Sequence, residues 1–362
     1  MRLLICAGGT GGGVYPALAV LQTMENKAEV LWVGGEGGME ARLVERANVP
    51  FKTIPAAGIH GVGLKMLPGN VFRIVRGFFA SRRILHEFKP DVLFFTGGYV
   101  AVPMALAGMR VPTALYVPDI EPGMALKTLA RFADKIAVTA QESFRYFRHN
   151  DRLILTGYPT RADLGKWTRS DAHRLIGLTS EAPVLLVLGG SKGARSINNA
   201  VLSNLSTLLE RTQIIHITGE LDWPDVEAKT KKLTGVPATR YHAFPYLHEE
   251  MGAALAAADL ALSRAGASTL GEYPLFGLPA VLVPYPHAWR YQKVNADTLV
   301  HGGAAIMLED NKLSDKLLST VSDLLSQPKK LASMRDAMKR ISHPEAAAQI
   351  AHVIIGLCQE RS

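Results

Sequence analysis

The chain has 362 residues, a length that indicates two domains rather than a single core. Its residues are 48% hydrophobic and 20% charged, as in ordinary globular proteins, and no apolar run reaches the ~18 residues of a membrane-spanning helix. The formal net charge of +8 is uneven, because residues 1–160 carry 18 basic and 12 acidic side chains. An anionic partner is therefore expected. Because the sequence has no arginine-rich run, RNP-type motif or zinc pattern, this partner is not expected to be nucleic acid.

Short apolar segments alternate with helical segments along the whole chain, which predicts an α/β fold with parallel sheets and right-handed crossovers. The strands predicted in the first half are Leu3–Cys6, Val30–Val33, Lys52–Pro55, Val92–Thr96, Thr113–Val117, Lys135–Thr139 and Leu153–Thr156. Those predicted in the second half are Val184–Leu188, Gln213–Thr218, Leu260–Ser263, Ala280–Val283 and Ala305–Leu308. Several are continuous apolar runs, as is typical of strands covered on both faces.

Each half of the chain begins with a buried strand, a glycine-rich turn and a helix. This weak internal repetition predicts two domains, and the polar stretch around 161–183 is the predicted hinge between them. Ligands of open α/β sheets bind at the carboxyl ends of the strands. Two such domains facing each other would place their ligands in a cleft between them.

The opening glycine-rich loop, Gly8–Gly13, contains one side chain in six residues. Free amides at a helix start, with glycines that permit close approach, predict an anion-binding loop, and Pro16 is expected in the first helical turn. The loop is not a P-loop, because no Gly-Lys-Ser/Thr closes it. It is not a dinucleotide fingerprint either, because no acidic residue ends the second strand. A tight turn that binds nothing is the alternative.

Three further loops follow predicted strands. Gly189-Gly190-Ser191-Lys192-Gly193 offers amides and the Ser191 hydroxyl to a phosphate. In Ser263–Glu272 a helix is predicted to begin near Ser268, and Glu272 in its first turn either accepts the two hydroxyls of a ribose or interacts with the helix dipole. Thr96–Pro103 closes a strand of the first half in the same way.

The order of these motifs resembles the MurG family of GT-B glycosyltransferases, peptidoglycan enzymes that add N-acetylglucosamine to undecaprenyl-pyrophosphoryl-muramyl-pentapeptide. The resemblance covers nearly the whole chain and rests on segments from Gly8–Pro16, Gly97–Val100, Gly157–Arg161, Gly189–Arg195 and Ser263–Pro279, extending to Val283–His287, Gln292 and Asn295. It implies two Rossmann-like domains with parallel sheets facing a central cleft. Residues 1–160, completed by a C-terminal helix in 344–362, would face the acceptor and the membrane, and residues 161–343 would bind the UDP-sugar.

The resemblance also implies site residues. Ser191 and Arg161 would serve the donor diphosphate, Glu272 the ribose, the backbone near His248 the uracil, and Gln292 the sugar. The full set of implied donor-binding residues is Thr10, Gly11, Gly12, Arg161, Ser191, His248, Gly266, Ala267, Ser268, Thr269, Leu270, Gly271, Glu272 and Gln292. The acceptor pyrophosphate would lie on Gly9, Thr10, Gly97, Gly98 and Tyr99.

The chain departs from the family pattern at three places. The family's opening loop ends in a histidine where this chain has Gly13, and the family's His-Glu-Gln-Asn run is replaced after Val117. The first of two adjacent donor-sugar glutamines is Tyr291 here. An inverting transfer needs a base for the acceptor hydroxyl, so Asp119 and Glu121 are the candidate catalytic residues, with ordinary loop carboxylates as the alternative.

No Asp-x-Asp motif is present, so we expect neither a metal nor another cofactor, and the UDP-sugar serves as a substrate. The resemblance implies that the partners are UDP-N-acetylglucosamine, an undecaprenyl-pyrophosphate-linked acceptor and an anionic membrane surface. The protein is expected to lie peripherally on the cytoplasmic face of the bacterial plasma membrane. The alternatives are transfer to another lipid such as diacylglycerol, a UDP-sugar epimerase, and a nucleotide-sugar binder without catalysis.

The segment Leu64–Phe88 mixes apolar positions at helical spacing with Arg73, Arg76, Arg82 and Arg83. An interfacial helix that binds anionic lipid has this pattern. A core helix with a solvated basic face has it too, and the sequence does not separate the two.

Overall fold

The computed structural model describes residues 1–8, 11–24, 27–38, 40–58, 67–148, 150–179, 181–190 and 193–360. The chain forms two compact units. The first comprises Met1–Arg161 and His343–Ser362, and the second comprises Ala162–Ser342.

The sheet of the first unit is parallel, and its strand order is β3-β2-β1-β4-β5-β6-β7. Its strands are β1 Arg2–Ala7, β2 Glu29–Gly35, β3 Phe51–Ile54, β4 Val92–Gly97, β5 Thr113–Val117, β6 Lys135–Val138 and β7 Leu153–Leu155. The apolar runs of β1 and β4 are completely buried, because helices cover both faces of the sheet. The first helices are α1 Gly11–Met24, α2 Glu40–Arg46, α3 Leu67–Phe88, α4 Ala101–Ala107 and α5 Met124–Leu129.

The second unit repeats this architecture with the strand order β10-β9-β8-β11-β12-β13, again parallel. Its strands are β8 Val184–Leu188, β9 Gln213–Ile217, β10 Tyr241–Phe244, β11 Leu260–Ser263, β12 Ala280–Leu282 and β13 Ala305–Met307. All twelve predicted strands are confirmed within one or two residues at their ends. The sequence analysis missed β10, a four-residue edge strand whose last three residues are only half-buried.

The helices of the second unit begin inside the stretch that was predicted to be a hinge. They are α6 Arg169–Ile176, α7 Arg195–Ser203, α8 Leu205–Arg211, α9 Trp223–Thr230, α10 Val236–Arg240, α11 Met251–Ala257, α12 Glu272–Phe276, α13 Trp289–His301, α14 Leu313–Leu325 and α15 Pro328–Arg340. The boundary between the units falls at Arg161, and the role of 161–183 as a hinge stays a prediction. The Thr168 side chain accepts a hydrogen bond from the Asp171 amide at the start of α6, and this helix packs against α11.

The last helix, α16 Ala346–Gln359, packs against α1 in the first unit. The backbone at Gly157, with φ +86°, passes directly against the side chain of His343, so the two segments at the edge of this unit are in contact. Cys6 is buried, whereas Cys358 on α16 is partly exposed. Among the described residues, no helix combines the length and the apolar character that crossing a membrane requires.

Candidate active site

In each unit the strand order reverses next to a glycine-rich loop. The reversal lies between β1 and β4 in the first unit and between β8 and β11 in the second. Open α/β sheets bind ligands at such a switch point, outside the carboxyl ends of the strands. The loops after β1, β4, β8 and β11, which the sequence analysis selected, therefore lie at the two positions where this architecture places ligands.

The loops after β1 and β4 are in backbone contact. A Cβ atom added to Gly98, whose φ is +89°, would stand 2.6 Å from the carbonyl oxygen of Gly8. Gly97 lies against the side chain of Leu126 on α5, so the segment after β5 adjoins the same place. The predicted acceptor residues Gly97 and Gly98 are thus next to the opening loop, while Gly9 and Thr10 fall outside the described residues.

The helix that follows the opening loop begins earlier than predicted. α1 starts at Gly11, so Gly11, Gly12 and Gly13 form its first turn and Pro16 lies in the second turn. The prediction of Pro16 in the first turn was wrong, because the glycines themselves adopt helical backbone. The buried hydroxyl of Thr96, at the end of β4, donates to the carbonyl of Gly13 across 2.7 Å, which ties α1 to β4.

Tyr99 presents its ring to solvent beside these loops, with half of its surface exposed. The other side of the ring packs against Gly58, in the segment after β3. Asn70 on α3 donates through Nδ2 to the carbonyl of Gly58 at 2.8 Å. The segment after β3 and α3 therefore pack behind the ring of Tyr99, and the exposed face of the ring is available to a ligand.

The two candidate carboxylates after β5 differ in accessibility. Glu121 is 3% exposed and its Oε1 lies 3.3 Å from Nζ of Lys127 on α5. Asp119 is partly exposed and lies near Tyr116 of β5. Burial raises the pKa of Tyr116, the hydrogen bond with Thr139 opposes this, and the negative charge of Asp119 adds to the increase. Asp119 is therefore the carboxylate that a substrate can reach more readily.

Glu40, at the start of α2, is a buried carboxylate beside the opening loop that the sequence analysis did not select. Its Oε1 accepts a hydrogen bond from the amide of Gly35 at 2.8 Å, and the same carboxylate lies against Gly8. The available signal was an acidic residue two positions after the glycine-rich run of residues 34–38. Arg161, the last residue of the first unit's main segment, lies over the ring of Tyr15 on α1.

The glycine-rich loop after β8 is closed by a hydrogen bond from the amide of Gly193 to the carbonyl of Gly190, at 2.9 Å. Gly193 lies against the carbonyl of Thr218, in the segment after β9. The loop thus occupies the switch point of the second sheet. Ser191, predicted to bind the diphosphate, lies outside the described residues.

The loop after β11 forms two short helical segments instead of one helix. Ala267–Leu270 is a 3-10 turn, and α12 begins at Glu272, so the prediction of one helix from about Ser268 was wrong. Thr269 explains the tight turn, because both its amide and its hydroxyl bond to the carbonyl of Gly266. Gly266, Ser268 and Glu272 are partly exposed, whereas the other predicted donor residues of this loop are buried, namely Ala267, Thr269, Leu270 and Gly271.

Arg264 is a second residue that the sequence analysis missed. It is 9% exposed, directly after β11, and its guanidinium bonds to Oγ of Ser196 on α7 at 2.7 Å and to the carboxylate of Asp310 after β13. The ring of Tyr285 covers it, 5.2 Å from the guanidinium carbon. Arg264 therefore connects the loop after β11 to the helix that follows the glycine-rich loop.

The side chain of Gln292, on α13, has a fixed orientation. Its Oε1 accepts a hydrogen bond from the amide of Tyr285 at 2.9 Å, so its NH₂ group remains as a donor. His248 is exposed in the segment after β10, and its ring lies 4.6 Å from that of Tyr246. Both predicted donor residues thus lie in segments that follow strands of the second sheet.

Metal-binding groups of three or more His, Cys, Asp or Glu side chains do not occur in the part of the chain that the structure describes. The predicted site residues that are described lie in segments that follow strands of the two sheets. The first unit supplies loop amides, Tyr99 and carboxylates, and the second supplies loop amides, hydroxyls, Glu272 and Gln292.

Two family models match the chain. The glycosyltransferase family 28 N-terminal domain matches residues 3–138, and the family 28 C-terminal domain matches residues 184–350. A UDP-N-acetylglucosamine–N-acetylmuramyl-(pentapeptide) pyrophosphoryl-undecaprenol N-acetylglucosamine transferase of Desulforamulus reducens is 37% identical, over 97% of this chain and 97% of the relative.

Solved structures agree with these matches. MurG of Acinetobacter baumannii has a TM-score of 0.76 at 27% identity, over 98% of this chain and 99% of that one. The UDP-N-acetylglucosamine 2-epimerase of Neisseria meningitidis has a TM-score of 0.70 over 98% of this chain and 100% of that one, but its 12% identity shows a shared fold only. The predicted GT-B fold is confirmed, and the chain belongs to glycosyltransferase family 28, among the MurG-type N-acetylglucosamine transferases.

Proposed function

We propose that this protein transfers N-acetylglucosamine from UDP-N-acetylglucosamine to the lipid-linked muramyl pentapeptide, the step from lipid I to lipid II of peptidoglycan synthesis. The observation that carries the proposal is that glycine-rich loops lie at the switch point of each sheet, in a chain of this family. A donor diphosphate and an acceptor pyrophosphate are the two anions that this reaction brings together.

The donor is bound mostly by the second unit. The loop of residues 189–193 with Ser191, the partly exposed Gly266 and Ser268, and Arg161 receive the diphosphate, and Thr10, Gly11 and Gly12 of the first unit also contribute to donor binding. Glu272, partly exposed at the start of α12, accepts the ribose hydroxyls. The NH₂ group of Gln292 donates to a sugar hydroxyl, since its oxygen is already bonded to Tyr285. The backbone near His248 contacts the uracil.

The acceptor pyrophosphate is bound by the first unit, on Gly9, Thr10, Gly97, Gly98 and Tyr99. The contact between Gly8 and Gly98 supports this assignment, because it brings two sets of loop amides to one place. Tyr99 adds an exposed ring and hydroxyl at its edge.

The reaction is an inverting displacement. The acceptor hydroxyl attacks the anomeric carbon, its proton passes to the carboxylate of Asp119, and the bond to the UDP oxygen breaks on the opposite side. Asp119 is the proposed base because it is more accessible than Glu121, which is buried and paired with Lys127. Loop amides and the guanidinium of Arg161 stabilise the charge that develops on the leaving diphosphate, so that no metal is required.

α3 docks the protein on an anionic membrane surface. Four apolar side chains of this helix are between 46% and 65% exposed, namely Val71, Phe72, Val75 and Phe79. Exposed Arg73, Arg76, Arg82 and Arg83 accompany them, while the opposite face of the helix packs on the segment after β3 and on α4. This arrangement favours an interfacial helix over a core helix with a basic face. A peripheral position on the cytoplasmic face of the plasma membrane follows, where the lipid acceptor is available.

A transfer assay tests the proposal. The protein is incubated in detergent with radiolabelled UDP-N-acetylglucosamine, lipid-linked muramyl pentapeptide and diacylglycerol, with and without EDTA. Label on the muramyl-pentapeptide lipid, unchanged by EDTA, is expected. Isomerised free sugar indicates an epimerase, label only on diacylglycerol a different acceptor, and donor binding without either product a non-catalytic binder; each of these contradicts the proposal.

A further inference from the structure

The side chain of Glu40 is surrounded by glycines. Glu40 is 2% exposed, and its Oε1 accepts a hydrogen bond from the amide of Gly35 at 2.8 Å. A Cβ atom added to Gly8 would stand 2.5 Å from that oxygen, and one added to Gly38 would collide with the whole carboxylate. The carboxylate therefore occupies a space that exists because residues 8 and 38 have no side chains.

This position connects two loops that are distant in sequence. Gly8 opens the loop after β1, Gly35 is the last residue of the neighbouring strand β2, and Gly38 belongs to the segment after β2. The carbonyl of Gly8 in turn contacts Gly98 after β4. Glu40 thus contacts, on its inner side, the backbone from which the opening anion-binding loop departs.

Burying a carboxylate has an energetic cost that its hydrogen bonds must offset, and a purely apolar side chain in the same space carries no such cost. The negative charge also opposes an anion bound on the outer side of the loop. Neither effect favours glutamate for packing or for direct attraction of the ligand. What a carboxylate does supply is a pair of acceptor oxygens that can hold backbone amides in place.

We propose that Glu40 is a positioning residue that fixes the backbone at Gly8, where the opening loop leaves β1 beside Gly98, for binding of the acceptor pyrophosphate. Glu40 does not touch the substrate and acts through the backbone at Gly8 and Gly35. This inference rests on the proposed function for the identity of the pyrophosphate ligand.

Kinetics of three variants test the inference. Glu40→Ala removes the acceptor oxygens and the packing, whereas Glu40→Gln keeps the shape and one oxygen. Glu36→Gln makes the same charge change at an exposed position of the segment after β2 and serves as the matched control. We expect KM for the lipid acceptor to rise about tenfold in Glu40→Ala and about threefold in Glu40→Gln. KM for UDP-N-acetylglucosamine should stay within twofold, and Glu36→Gln should match the wild type.

The split between the two KM values separates positioning from general destabilisation. Partial unfolding lowers kcat through the fraction of active enzyme and leaves both KM values unchanged. That pattern, or equal acceptor KM values in wild type, Glu40→Ala and Glu40→Gln, overturns the inference. A second readout is the affinity for inorganic pyrophosphate, measured by calorimetric titration of the full chain in saturating UDP. This readout does not depend on which reaction the protein catalyses. Weaker binding in both Glu40 variants than in Glu36→Gln supports the inference even if the wild type transfers no sugar, and equal binding overturns it.

Discussion

The guanidinium of Arg161 lies over the ring of Tyr15, with 5.4 Å between its carbon and the ring centroid. Arg161 ends the main segment of the first unit, and Tyr15 belongs to the helix that follows the opening glycine loop. The aromatic face therefore holds in place a cation that we assign to the donor diphosphate.

Tyr15→Leu should weaken donor binding, whereas Tyr15→Phe should not. A cation–π contact contributes about 1 kcal/mol at a partly exposed site, which corresponds to about a fivefold change in affinity. We expect KM for UDP-N-acetylglucosamine to rise by about this factor in Tyr15→Leu and to stay within twofold in Tyr15→Phe, which keeps the ring. Equal KM values in the two variants would show that the ring face does not position Arg161.

Asp119→Asn should abolish most of the turnover while donor binding stays intact. Loss of a general base lowers the rate by about 10²–10⁴-fold, and Asn cannot accept the proton. We expect kcat to fall within this range and the Kd of UDP, measured by calorimetry, to stay within twofold. Full turnover in Asp119→Asn would eliminate this carboxylate as the base.

Glu121→Gln is the matched variant of the same loop. Because Glu121 is buried and paired with Lys127, its neutralisation should first lower the free energy of unfolding, by about 1–3 kcal/mol. A larger loss of kcat in Glu121→Gln than in Asp119→Asn, at equal thermal stability, would reverse the assignment.

The fold was predictable because its strands are buried on both faces and are therefore uninterrupted apolar runs. β10 was not predicted because it is a short edge strand. Its polar residue, the partly exposed His242, interrupts the apolar run that marks the other strands. The glycine loops were predictable because they are contiguous in sequence. Glu40 and Arg264 were not, because the former is defined by its contact with Gly8 and the latter by its contact with Asp310, 46 residues away.

Removing the exposed rings of α3 should release the protein from membranes. Phe72 and Phe79 are 62% and 65% exposed, and burying each ring at an interface contributes on the order of 2 kcal/mol. We expect Phe72→Ser/Phe79→Ser to lower co-sedimentation with anionic liposomes at least about tenfold. Leu221→Ser, which alters an equally exposed apolar side chain in the second unit, is the control. Binding by the double variant that equals that of the control would exclude α3 as the docking surface.

His216 of β9 is completely buried in the second unit between Asn198 of α7 and Tyr241 of β10. Burial lowers its pKa to about 3, although the negative charge of Asp222 acts in the opposite direction. Asp222 also accepts hydrogen bonds from Asn198 and from Arg195, so the histidine belongs to a network that includes the helix after the glycine loop.

The lowered pKa makes stability depend on pH. Between about pH 6.5 and pH 3 the unfolded chain binds a proton at this histidine and the folded protein does not, so stability is present above pH 6.5 and decreases on acidification. The contribution is about 1.4 kcal/mol per pH unit inside this window. His216→Gln, which cannot titrate, should unfold with a correspondingly shallower pH dependence between pH 6.5 and 4.5, measured by denaturant titration. His352→Gln, at an exposed position on α16, should keep the wild-type slope. A His216→Gln slope equal to that of the wild type would show that other groups cause the acid sensitivity.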